Sequence, residues 1–514
     1  MTRRGWAVVI FAAWAASLGW LVKREFFRST GERLAEAALS VAPGSAFYRL
    51  DLAGQQVGFA STTVDTAATT LRVSDLLRLD LPAMGRLHRT RAQSVAVVSR
   101  ALRLETLDVA FDGDEGQFMA RAVVTGDSVL TVTLVPASGD SQVTRLHLAG
   151  PIVVPTLLPL RLAFGGALKP GRTYSIRVFD PLELTQRDVG VTIAAESTFA
   201  VPDSAVFDST VMAWTPAHYD TVRAFKIEQQ AAGLTTSAWI DAQGRIVRAA
   251  GPVGFTMERS AYELAYENFR HRDTLRVLGA EAGVGDIIAT TALTAHASLA
   301  SAAHGASSGE LRVRLSGVDL DGLDLAGGRQ ERHGDTLIVR REGDAALTPS
   351  YALPARDPAL APWLRPEPLM ESGTPAMRSQ AHIILGEERD PRRAAERLNT
   401  WVSHYVHKEI TMGVPSATAV LAQRRGDCNE LTVLYVALAR AAGLPARPAA
   451  GLVELGGRFY YHAWPEVYLG NWVAVDPTLD QFPADAGHLR FVVGGLARQM
   501  ELIRFIGRLK LEVL

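Results

Sequence analysis

Residues 426–447 read GDCNELTVLYVALARAAGLPAR, and the rest of the chain is best understood outward from them. Leu431, Leu434, Tyr435, Leu438 and Ala439 recur at helical spacing, and Gly443 with Pro445 supplies a stop. The pattern predicts a packed helix that opens at Cys428. This is the chain's single cysteine, so neither an intramolecular disulfide framework nor a zinc site of several thiolates can form. A lone thiol is either small core filler or a reacting group, and its neighbours must decide. A helix N-terminus presents unpaired N–H groups and about half a positive charge, which favour thiolate over thiol. Asp427 works against that effect, while Arg424 and Arg425 work for it. The Cys428 backbone N–H is also placed to hold the oxyanion of an acyl-transfer intermediate.

Downstream, RFYYHAWPEVYLGNWVAVDPT (458–478) reads as two strands around a turn at Gly470-Asn471. Strand parity puts His462, Trp464 and Glu466 on one face, and Trp472, Ala474 and Asp476 share a face in the second strand. Register decides whether these faces meet. A two-residue turn sets Asp476 opposite Pro465, on the wrong side. A three-residue loop of Leu469, Gly470 and Asn471, with Tyr468 opposite Trp472, sets it opposite Trp464 and diagonal to His462. If Asp476 orients His462, the imidazole can take the Cys428 proton, as in a nucleophile–base–orienter triad; this requires the three-residue loop or a bulge.

The segments GDCNELTVLYVALARAAGLPAR, YYHAWPEVYL and NWVAVDPT resemble the three blocks of the transglutaminase-like superfamily in its bacterial exported branch. The likeness runs from about Pro375 to Pro483, and more loosely to the C-terminus. It implies a papain-like α+β fold with the cysteine helix on an antiparallel sheet. It also implies acyl chemistry on amide bonds: attack by Cys428, a thioester, then release to water or to an amine, with His462 as base and Asp476 as orienting acid. Hydrolysis, a peptidase or amidase activity on a protein or peptide substrate, is preferred over crosslinking. The rival is a noncatalytic binding or assembly protein that uses the fold as a scaffold.

Gln423 is a further candidate oxyanion donor, and Trp464 and Trp472 are candidate walls of the acyl tunnel that such sites use. His404, His407 and His488 show no partner pattern, and no Asp-x-Asp calcium loop is visible. No metal or cofactor is expected.

Before the nucleophile, Asp390-Pro391 reads as an N-cap with proline at the first helical position, followed by the stripe Leu398, Trp401, Val402, Tyr405; Pro415-Ser416 then opens SATAVLAQRR. These segments belong to a domain over 375–514. Prolines 354, 358, 362, 366 and 368 mark residues 351–374 as a linker. Residues 273–350 lean towards strand, as in ELRVRLSGVDL. Between 45 and 272, period-two stretches such as SVLTVTLV and YSIRVFD, separated by turn clusters, predict a large antiparallel sheet or open barrel with no long helix. Its role is not legible.

At the N-terminus, WAVVIFAAWAASLGWLV (6–22) carries no charge and is flanked by arginine and lysine. Residues 1–28 are read as an uncleaved signal anchor, with a removed signal peptide as the alternative. The expectation is therefore a single-pass inner-membrane protein with its large domain exported. The chain has 53 basic and 54 acidic side chains, a formal charge of -1, and no long basic run, which argues against a nucleic-acid partner. Oligomeric state is not legible either.

Overall fold

The computed structural model describes residues 41–271, apart from 115, 127, 138–139, 166–167, 181–184, 232–233 and 252–253, and then residues 291–294 and 309–514. The expected membrane segment, 1–28, lies outside the described residues. Among those described, no helix is long and apolar enough to cross a membrane.

The period-two stretches form one 14-stranded antiparallel sheet. Gly44–Leu52 lies inside it and pairs with both Gln55–Thr66 and Phe255–Ser260. From one side the chain meanders out to Gln142–His147, and from the other it meanders out to Thr173–Asp180. Alternation explains the strands. In VLTVTLV (129–135) every second residue is buried, which is the pattern of a sheet with one face on a core. That core closes on Leu158–Gly165, a helix the alternation rule did not anticipate, whose Leu158, Leu160 and Leu162 pack against Leu71, Val98, Leu130, Val191 and Ile240. The two edge strands do not pair with each other. Instead Val153, on the approach to the helix, bonds in parallel with the strand at Val178, so the barrel is open and patched by its own connection.

The C-terminal unit contains helices α1 (Pro375–Leu385), α2 (Pro391–Tyr405), α3 (Ala417–Gln423) and α4 (Cys428–Ala441). Its sheet holds β1 (Ala446–Leu455), β2 (Arg458–Tyr468), β3 (Trp472–Ala474) and β4 (His488–Val493), with β1 between β2 and β4 and β3 on the far edge of β2. Asp390 caps α2 by accepting the Arg393 N–H, with Pro391 next to it. The apolar face of α4, including Leu431, Leu434, Tyr435 and Leu438, packs against α1, α2 and the sheet.

Two stretches differ from expectation. Residues 309–340 are built into this unit: Glu310–Ser316 pairs with Thr336–Arg340 and with C-terminal Lys510–Val513, and Leu311, Val313 and Val339 share a core with Leu452, Phe459 and Phe491. The proline-rich stretch 351–374 is packed too. Leu353, Leu360 and Met370 are buried, and the buried Arg440 donates to the Arg365 carbonyl at 2.8 Å and pairs with Glu367 at 2.9 Å. Proline dictates extended backbone, but that backbone can lie on a surface as readily as span a gap.

Two hairpin tips of the large sheet touch the segment between α2 and α3 and the residues just before α4. Asp114 accepts the Met412 N–H at 2.9 Å and donates its own N–H to the Met412 carbonyl at 3.0 Å. Arg425, three residues before Cys428, donates to the Asp114 carbonyl, and Arg86 pairs with Glu409 at 3.2 Å.

Candidate active site

The position of Cys428 follows from local capping. Asp427 is the N-cap of α4 and accepts the Asn429 N–H at 2.9 Å, while Glu430 reaches back to the Asp427 N–H at 2.9 Å. This is a capping box, and it places Cys428 at the first helical residue. Gly426 is required beside it, because a Cβ there would lie 2.3 Å from the Glu430 Cβ. Gly426 and Arg425 are held from the other side by parallel pairing with His407 and Lys408.

The β2–β3 register is the one that brings the faces together. Tyr468 lies opposite Trp472 and Glu466 opposite Ala474, which makes Leu469, Gly470 and Asn471 the loop. Asp476 then swings under His462, and its Oδ2 lies 2.8 Å from His462 Nε2. Asp476 is fully buried and His462 is 9% exposed. The other carboxylate oxygen, Oδ1, accepts the Thr478 and Leu479 N–H groups at 2.7 and 3.1 Å. With Nε2 committed to Asp476, Nδ1 is the ring nitrogen left for the thiol.

Cys428 is half-buried. Its Sγ faces the backbone N–H of Ala463, next to His462 in β2. Helix and base strand therefore meet at the right place, although no Sγ–imidazole hydrogen bond is formed in this resting arrangement. The electrostatics differ from the expectation of a thiolate. Burial pushes the Cys428 thiol well above its ordinary value, the carboxylates of Asp427, Glu430 and Asp476 push further, and the Ala463 N–H acts the other way. The helix terminus is outweighed first by burial and then by the acidic N-cap that builds it. Asp427 is also raised, by burial first and then by the Glu430 carboxylate beside it.

His488, which showed no partner pattern in the sequence, is the residue that sequence reasoning missed. Its Nε2 lies 2.9 Å from the same Asp476 Oδ2, and its Nδ1 lies 3.0 Å from Asp485 Oδ1. It comes from β4, brought alongside by the β1–β4 pairing, and short-range spacing carries no sign of that. Burial alone would raise the Asp476 carboxyl, but the two imidazoles hold it far below the usual carboxylate range. Trp464 is buried beneath both rings, with ring centroids 6.1 Å from His462 and 5.1 Å from His488. It therefore backs the two histidines. Trp472 does not approach it: Tyr468, its cross-strand partner, is six residues from His462, roughly 20 Å along a strand. Trp472 instead stacks under Arg447 at 4.0 Å and meets Trp363 edge-on. Gln423 ends α3, ahead of the left-handed Arg424, and is half-buried.

His462, Asp476 and His488 bring ligand-type atoms within 4.8 Å of one another. Two ligands about 2.0–2.1 Å from a tetrahedral zinc sit roughly 3.3 Å apart. The 2.8 and 2.9 Å separations here are hydrogen-bond lengths, and the set reads as a proton-sharing chain.

Residues 378–477 match the model of the transglutaminase-like superfamily, so the C-terminal part of the chain carries a transglutaminase-like domain. No curated protein matches the chain. Among solved structures, a chain from Cytophaga hutchinsonii provisionally named a cysteine protease is 17% identical, over 39% of this chain and 83% of its own, with a TM-score of 0.28. A beta-barrel-like protein of a domain of unknown function from Brucella abortus is also 17% identical, over 43% of this chain and 95% of its own, with a TM-score of 0.28.

Proposed function

We propose that the C-terminal unit is a cysteine-dependent enzyme acting on amide bonds of a protein or peptide, with hydrolysis as the preferred outcome. The observation that carries this reading is the buried His462–Asp476 pair at 2.8 Å, set beside a cysteine that opens a packed helix. As Sγ bonds to the carbonyl carbon, its proton passes to His462 Nδ1 and the carbonyl becomes an oxyanion. The Cys428 N–H, at the first turn of α4, is the donor this reading assigns to that oxyanion. The imidazolium then protonates the leaving amine, the C–N bond breaks, and a thioester remains. Water attacks the thioester, giving its proton to His462, and the acid departs as Sγ is reprotonated. Because the resting thiol is held protonated, proton transfer accompanies attack rather than preceding it. Together with the expected N-terminal anchor, this makes the protein a membrane-tethered, exported enzyme; protease added to intact cells would digest the domain if so.

The raised thiol is also the observation that favours the rival, an inert scaffold. The two part in one experiment: reaction of the protein with activated peptide esters, read by mass spectrometry for an acyl group on Cys428. The expected result is an adduct that water clears, absent in Cys428→Ser and formed about 10²–10⁴-fold more slowly in His462→Ala. No adduct, together with iodoacetamide labelling of Cys428 that is indifferent to His462→Ala, would leave the scaffold.

A further inference from the structure

We propose that His488 is a positioning residue of this site: a fixed imidazolium behind Asp476 that shares its charge and keeps His462 neutral, ready to accept the thiol proton. The inference rests on the enzymatic reading above and concerns how its base is set. A neutral imidazole donates through one nitrogen only. Both nitrogens of His488 face carboxylates, Asp476 at 2.9 Å and Asp485 at 3.0 Å. Neither carboxylate is free to carry the proton itself. Asp476 receives two backbone N–H bonds on Oδ1. Asp485 receives the Gly487 N–H at 2.9 Å on Oδ1 and the Gln481 amide at 2.9 Å on Oδ2. With both carboxylates already occupied by these donors, His488 donates from both nitrogens and carries the charge. Burial opposes that charge, and the two carboxylates outweigh it.

The consequence falls on His462. One oxygen, Asp476 Oδ2, receives both rings, so a second imidazolium at His462 would face the first with ring centroids 5.8 Å apart. The other groups around the pair are few. Asp427 acts on His462 from the N-cap of α4, with Glu430 beside it. Arg329 donates to the Asp485 backbone carbonyl and is balanced by Glu342 at 3.3 Å. Trp464 separates the rings from the core without charge. Two unit charges 5.8 Å apart at an effective dielectric of about 20 repel by an amount equal to roughly two pH units.

The test is a histidine-ring NMR titration of the full chain carrying ¹³C-labelled histidine, with the His462 signal identified by its loss in His462→Gln. In His488→Gln the His462 midpoint is expected to rise by roughly one to two pH units. Asp485→Asn keeps the ring and supplies the control. Deleting an anion acts directly to lower the His462 midpoint, whereas loss of the second His488 proton raises it. A rise in both variants supports the proposal. An unchanged or lowered midpoint in folded Asp485→Asn overturns it, and that variant decides alone if His488→Gln does not fold. Cys428 labelling indifferent to His462→Ala would instead sink the enzymatic reading, leaving the midpoint result to stand for the histidine pair alone.

Discussion

Asp476→Asn removes one charge and one acceptor oxygen from a fully buried carboxylate that receives His462 and His488 on Oδ2 and the Thr478 and Leu479 N–H groups on Oδ1. Asparagine offers a single acceptor oxygen and must turn its NH₂ towards one of these donor pairs. Turned to the backbone, it confronts two N–H groups; turned to the rings, it strips both imidazoles of their partner. Breaking a buried charge pair by removing one member costs about 3–5 kcal/mol. For a unit the size of residues 309–514, that lowers the melting temperature by roughly 6–20 °C. The pH dependence gives the sharper signature. Asp476 has a folded value below its unfolded one, so its contribution is complete above about pH 4 and is lost as pH falls. His488 has a raised folded value, so its contribution is complete below about pH 6.5 and is lost as pH rises from there through the higher folded value. The variant should lack both slopes, and its deficit against wild type should narrow at alkaline pH. Denaturant melts between pH 5 and 10 measure this. A variant within about 1 kcal/mol of wild type at pH 7, with an unchanged pH slope, would refute the hydrogen-bond chain as the element that holds the site.

Three other outcomes are expected. Asp427→Asn keeps an acceptor at the N-cap and removes the largest contribution to the raised thiol after burial, so iodoacetamide should label Cys428 faster at neutral pH with stability changed by less than about 1 kcal/mol; slower labelling would contradict the electrostatics. In Gly113→Ala the new Cβ would lie 2.1 Å from the Met412 carbonyl oxygen, so hydrogen exchange over 407–413 should rise while the large sheet keeps its protection; unaltered exchange would mean that the hairpin does not brace the segment between α2 and α3. Labelling of Cys428 should be indifferent to EDTA, and a marked change on chelation would reopen the metal reading of His462, Asp476 and His488.

What the sequence determined by itself was local. The helix from Cys428 to Ala441 was legible because its apolar spacing and its Gly443 stop act within a few residues of one another, whereas the Asp427 cap emerged only in the structure. The alternating stretches betrayed the large sheet for the same reason, and the position of Asp476 relative to His462 reduced to a choice between two turn lengths, of which the three-residue loop is formed. What only tertiary structure decided depended on contacts between distant segments. His488 reaches Asp476 because β4 pairs with β1, and residues 309–340 join the C-terminal core because Glu310–Ser316 pairs with the end of the chain. The protonation of the thiol belongs to the same class. A helix terminus is a local field that sequence reveals, whereas desolvation depends on everything folded over the sulfur, and in a site this closed desolvation is the larger effect.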